Sequence, residues 1–186
     1  MYVDDVVVAG TSLKAVDEVK HCLPSEFEMT DVGEIRSFLG MQIDRDLEKG
    51  VLRISQRQYL EDLLRRFRME ECKPASTPME CRLKLLKGTE EKRTSQPYRM
   101  LIGCLTYASI TTQPDLTAAV NFFSQYQSFP TDDHWIYLKR ILRYIKGTFD
   151  IGLVYRTESK APVVEMFSNA DWTNDPTDRR SISGCI

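Results

Sequence analysis

With 186 residues, 42% of them hydrophobic and 28% charged, the chain has the make-up of a globular protein of one domain or two small ones, not of a disordered one. Its net charge of −2 carries no global sign of nucleic-acid binding, so any such signal has to be local. No apolar run reaches the roughly 20 residues of a bilayer span, and no signal peptide is visible, which reads as an intracellular chain with no membrane partner and no further address.

The chain opens "MYVDDVVVAG", a β-type run with two adjacent carboxylates, Asp4 and Asp5, in its middle. Met1–Val3 and Val6–Ala9 read as short strands, so the pair falls at the tip of a hairpin. Aspartate suits solvated turns, and these residues alone leave open whether the pair is a turn or a site. In "TSLKAVDEVKHCL", Leu13, Val16, Val19 and Leu23 stand at helical spacing behind Thr11 or Ser12 as N-cap, and Pro24 is expected to end the helix. A second hairpin follows in "SFLGMQIDRDLEKGVLRISQ": Leu39, Met41 and Ile43 alternate in one strand, Leu52 and Ile54 in the other, with Gly50 between. Ser55 and Gln58 predict a capping box for "RQYLEDLLRRFRM". That helix puts Leu60, Leu63, Leu64 and Phe67 on one side and Arg57, Arg65 and Arg68 largely on the other.

From Cys72 to Pro97 the composition turns to proline and charge, which predicts a long exposed linker. Three helices are expected beyond it, in "YRMLIGCLTYASI", in "PDLTAAVNFFSQY" behind Pro114 and Asp115, and in "TDDHWIYLKRILRYIKG" with Thr131 as N-cap and Gly147 as stop. "IGLVYR" and "PVVEMFSNADW" read as strands, and a chain that begins on one strand and ends on another looks cut at both ends. The five cysteines are scattered without metal-ligand spacing, and they read as small apolar residues in a reducing compartment. In the helix after His134, Lys139, Arg140, Arg143 and Lys146 form a cationic stripe with no acid among them, opposite Trp135, Leu138, Ile141, Leu142 and Ile145. Such a stripe is either a solvated outer face or a surface that follows a nucleic-acid backbone.

Six blocks in order resemble the reverse transcriptase of copia-type LTR retrotransposons: "YVDD" at 2–5, "FEMTDVGEIRSFLGMQI" at 27–43, "KPASTPM" at 73–79, "YRMLIGCLTYAS" at 98–109, "HWIYLKRILRYIKGT" at 134–148, and "SNADWTND" with "DRRSISG" at 168–184. The resemblance implies an α+β chain in three parts. Residues 1–56 would be the later part of a palm, with the catalytic hairpin and a second hairpin resembling a primer grip at Phe38, Leu39 and Gly40. Residues 57–156 would be a helical thumb and connection, with 72–97 as linker. Residues 157–186 would be the first strands of a ribonuclease H-like domain.

The resemblance also implies a chemistry. An RNA-directed DNA polymerase joins a primer 3′-hydroxyl to the α-phosphate of an incoming nucleotide with two magnesium ions about 3.5–4 Å apart. Magnesium takes hard oxygen ligands, so Asp4 would be the principal ligand and Asp5 the supporting one, with Tyr2 and Val3 near the primer terminus. The family's site also needs an aspartate and nucleotide-holding fingers from upstream of this hairpin, so the chain alone is expected not to polymerise. Asn169 stands where the family commonly has the first ribonuclease H aspartate, which predicts weak metal binding there beside Asp171. Gln113 replaces the usual arginine before "PD". The expected partners are a primer–template duplex of RNA or DNA and the remainder of the Pol polyprotein. Two other functions stay in view: a non-enzymatic module binding nucleic acid through Lys139, Arg140, Arg143 and Lys146, and an accessory subunit completing a site in trans. Residues 98–148 are expected to pack best.

Overall fold

In the computed structural model, which describes residues 5–157, 166–170 and 183–185, the first regular element is α1 (Leu13–Glu26). Ser12 caps it by accepting a hydrogen bond from the Ala15 amide at 3.2 Å, as its hydroxyl allows. Pro24 does not end the helix. It lies in the last turn, where the missing N–H forfeits one bond, and the Phe27 amide closes on the Leu23 carbonyl at 3.0 Å beyond it. Val6–Ala9, expected as a strand, forms no ladder among the described residues, and only Asp5 makes an isolated β-bridge.

The second hairpin forms as expected. Strands β1 (Ser37–Phe38), β2 (Met41–Asp46) and β3 (Val51–Ser55) run antiparallel, with Ile43 opposite Ile54 and Asp46 opposite Val51. Then α2 (Arg57–Arg66), α3 (Tyr98–Thr111), α4 (Thr117–Ser124) and α5 (Asp132–Thr148) follow, with short 3-10 turns at Glu90–Lys92 and Pro114–Leu116. The capping box expected at α2 is absent. Ser55 still belongs to β3 and turns to Gln42, while Gln58 donates to Asp62 along the helix at 3.2 Å. Thr131 does cap α5, in a reciprocal box in which His134 replaces the usual acid. Gly147 does not stop α5, which runs on to Thr148.

Strand β4 (Leu153–Arg156) returns from α5 to β3, with Leu153 opposite Ile54, and completes an antiparallel sheet in the order β1-β2-β3-β4. Gly152 permits this approach: a Cβ there would stand 2.5 Å from the Ile54 carbonyl oxygen. A separate pair, β5 (Ser168–Ala170) and β6 (Ser183–Cys185), puts Asn169 opposite Gly184. The arrangement is thus mixed α and β, as expected.

Among the described residues the buried apolar side chains all lie between Leu60 and Ile145, and Leu60, Leu101, Leu105, Leu116, Leu138 and Ile141 lose all contact with solvent. By contrast α1 buries no residue, and Leu13 is 83% exposed. The 72–97 stretch has little regular structure, as a linker should, yet it is docked. Met79, Leu83 and Leu85 pack on the helical core, the Ala75 amide donates to the Arg143 carbonyl at 3.0 Å, and Tyr126 donates to the Leu85 carbonyl at 3.3 Å.

Candidate functional site

Of the carboxylate pair read from the sequence, Asp5 lies among the described residues and Asp4 outside them, with Tyr2 and Val3. Asp5 is exposed, and the valines after it are half bare, Val6 at 46% and Val7 at 47%. Among the described residues no group of three Asp, Glu, His or Cys side chains converges as a metal site. A cation such as Mg²⁺ needs several hard oxygens, more than Asp5 by itself supplies. A groove of about 300 Å³ runs along α1, lined by Glu18, Val19, Cys22, Leu23, Glu26 and Phe27. Beyond it Lys20 pairs with Asp31 at 2.8 Å, which holds the Asp31 carboxyl below its usual range.

The three residues read as grip-like are the tip of the β1–β2 hairpin. Phe38 faces Met41, and Leu39 and Gly40 form the two-residue connection with φ of 49° and 74°. Two positive φ values are what a type I′ hairpin turn requires. Glycine adopts them freely, whereas a branched apolar residue at the first position is under steric strain. The Tyr107 hydroxyl of α3 donates to the Leu39 carbonyl. Its ring meets Tyr59 of α2 edge-on, centroids 5.2 Å apart, and Tyr59 donates to the Cys104 carbonyl at 3.0 Å. Burial, with the Cys104 contact, pushes the Tyr59 phenol far above its usual range. Neither tyrosine was singled out by sequence. The available signal was two phenols on otherwise apolar helix faces, since a buried hydroxyl needs a partner.

The four cations of α5 are all half-buried, and their surroundings differ. Lys139 lies over the Trp135 ring, 5.9 Å from its centroid. Arg140 reaches the linker with three groups: to the Thr77 carbonyl at 3.2 Å, the Thr77 hydroxyl at 3.1 Å and Glu80 at 3.4 Å. Arg143 donates to the Lys73 carbonyl at 2.8 Å. Arg143 and Lys146 also act on the Cys72 thiol, whose pKa is nonetheless raised because burial outweighs them. Two members of the stripe therefore hold the chain's own 73–80 segment against the helix.

Gln113 is buried and donates to the Ile151 carbonyl at 2.9 Å, which fixes the entry to β4. Where the resemblance expected an arginine, an amide keeps a structural contact. Beside it the buried Gln56 side chain accepts from the hydroxyls of Thr111 and Thr112 and leaves its own amide nitrogen unpaired. At the other end of α5, the buried His134 ring stacks on Tyr126 with centroids 4.3 Å apart, and its Nδ1 accepts from the Thr131 amide at 2.9 Å. Burial lowers the His134 pKa, against opposing effects of the Leu86 carbonyl and Asp133. Tyr144 donates to Asp115 at 2.6 Å, and that carboxylate pushes the phenol up to about 12. At the far end Asn169 sits in β5, and Asp171 lies outside the described residues.

Comparison with known proteins matches residues 1–81 to the family described as reverse transcriptase (RNA-dependent DNA polymerase). The whole chain is 35% identical to the retrovirus-related Pol polyprotein from transposon TNT 1-94 of Nicotiana tabacum, of which it covers 14%. It is 38% identical to the retrovirus-related Pol polyprotein from transposon RE2 of Arabidopsis thaliana, of which it covers 13%. Over 99% of its length it is 36% identical to an uncharacterized mitochondrial protein of Arabidopsis thaliana, of which it covers 75%. The chain thus spans a small part of the Pol polyproteins that it matches. No solved structure matches it. No helix among the described residues is long and apolar enough to cross a membrane.

Proposed function

We propose that the chain, whose residues 1–81 match the reverse transcriptase (RNA-dependent DNA polymerase) family, is the part of a copia-type Pol polyprotein running from the catalytic hairpin, through thumb and connection, to the start of ribonuclease H. What carries the reading is similarity along the whole chain to Pol polyproteins, with "YVDD" inside the matched family segment. In the longer polypeptide the reaction is nucleotidyl transfer onto a primer 3′-hydroxyl. Asp4 is the principal carboxylate toward Mg²⁺ and Asp5 the supporting one, with further ligands drawn from elsewhere in that polypeptide. Phe38–Gly40 faces the primer terminus, and Asn169 leaves the ribonuclease H part without its first carboxylate.

By itself the chain is inactive, because a single carboxylate pair supplies too few hard ligands for two cations. Primer extension tests this on the purified chain and on the chain joined to the preceding polymerase segment of a relative. The expected outcome is no DNA synthesis from the first and magnesium-dependent synthesis from the second, abolished by Asp4→Asn. Synthesis by the isolated chain would overturn the inactivity, and a joined protein that stays inactive would overturn the polymerase reading.

Lys139, Arg140, Arg143 and Lys146 form the duplex-facing surface in this proposal, in competition with the 73–80 segment for Arg140 and Arg143. A gel shift on primer–template duplex at two salt concentrations reads this directly, since phosphate contacts weaken with salt.

A further inference from the structure

We infer that Tyr107 is a positioning residue: it braces the Leu39–Gly40 turn from α3, so that the turn offers a fixed backbone to a primer end. The inference rests on the proposed reading of Phe38–Gly40 as the grip, and it goes beyond that reading by assigning the support to a residue of the helical body. The turn needs an external support. Leu39 holds φ of 49°, a region where a side chain with Cβ is strained, and the arm before it, β1, has only two residues. Such strain persists only where the surroundings over-determine it.

Those surroundings come from far along the chain. The Tyr107 hydroxyl donates to the carbonyl of Leu39 itself, across 68 residues of sequence. The phenol is fixed in turn, because its ring packs edge-on against Tyr59, whose hydroxyl is tied to the Cys104 carbonyl less than one helical turn before Tyr107. The hydrogen bond takes up one face of the turn and leaves the other open. Gly40 is exposed, and a Cβ built on it would meet nothing within 4 Å. A sugar–phosphate chain has room to approach there, whereas on the Leu39 carbonyl it would meet a group already satisfied.

Tyr107→Phe keeps the ring and removes the brace. The prediction has two readouts on the purified full chain. In hydrogen exchange the amides of residues 39–41 should open about tenfold more often, the scale of one lost hydrogen bond. With a primer–template duplex carrying a photoreactive thiobase at the primer 3′ end, the native chain should crosslink within residues 38–41, and Tyr107→Phe should lose most of that yield while binding the duplex as before. Adding Leu39→Gly should restore both readouts, since glycine holds the turn without strain. That rescue separates bracing from general packing of α3, which glycine at 39 cannot repair.

Unchanged exchange, or an undiminished turn crosslink, in Tyr107→Phe overturns the role of Tyr107. So does a loss that Leu39→Gly fails to restore. A native crosslink that is absent or maps elsewhere overturns the grip reading and, with it, the role built on it.

Discussion

The helical body between Leu60 and Ile145 and the segment before it differ in how far each satisfies itself. In the body every helix finds a partner for its apolar face, and buried phenols such as Tyr98 reach a carbonyl, here Phe123 at 2.8 Å. In the earlier segment α1 has an apolar stripe, Leu13, Val16, Val19 and Leu23, and buries none of it. Both were legible as amphipathic helices. Periodicity states which face a helix wants to bury, and burial depends on whether a complementary face exists.

The largest expected effect tests this contrast directly. Leu138→Ala removes a fully buried side chain and should cost about 2–5 kcal/mol in urea unfolding. Leu13→Ala, on the exposed stripe of α1, should stay within about 0.5 kcal/mol. Equal costs would mean that α1 is packed after all, and the contrast would fail.

Next in size is Gly152→Ala. Its methyl would be forced against the Ile54 carbonyl, and overpacking of this kind typically costs about 1–3 kcal/mol. Exchange at Leu153–Arg156 should rise while α3 and α5 stay protected. A uniform loss of protection would show that sheet and helices unfold as one unit.

The pH dependence of the body turns on His134. Burial lowers its pKa, so folding favours the neutral ring. Its contribution to stability is therefore present above the unfolded value of 6.5 and is lost as pH falls through the lowered folded value. Chemical unfolding from pH 7.5 downward should show declining stability, and His134→Gln should flatten that decline. A slope indifferent to His134→Gln would place the titration elsewhere.

The smallest effect is at Arg140. Its contacts to Thr77 and Glu80 are partly exposed, and their loss in Arg140→Ala should cost no more than about 1 kcal/mol. Exchange across 73–80 should nonetheless rise clearly. If the helix stripe and the segment do compete, the variant's remaining cations should bind duplex with a steeper salt response than the native ones.

Sequence periodicity was enough to place α2, α3, α5 and the β2–β3 hairpin, because each carries its own apolar spacing, helped by the Thr131 cap at α5 and by Gly50 in the hairpin connection. Three things were not legible. The docking of 73–80 runs through backbone carbonyls of Lys73 and Thr77, which have no side-chain signature in a proline-rich stretch. The pairing of β4 with β3 is a long-range choice that local pattern does not encode. The boundaries at Pro24 and Gly147 slipped because a breaker in the last turn of a helix forfeits little. At the candidate site, "YVDD" and "FLG" pointed to positions, but the support under Leu39 came from a tyrosine 68 residues away.

The β3–β4 ladder has a consequence for how the chain emerges from a ribosome. Ile54 and Leu153 are roughly a hundred residues apart, and the loop between them contains the whole helical body. Closing it costs entropy that only the finished ladder offsets. At roughly 5–20 residues per second, β3 would wait about 5–20 s for its neighbour with one edge unpaired. During synthesis that edge is the place where a nascent chain is most open to a foreign strand.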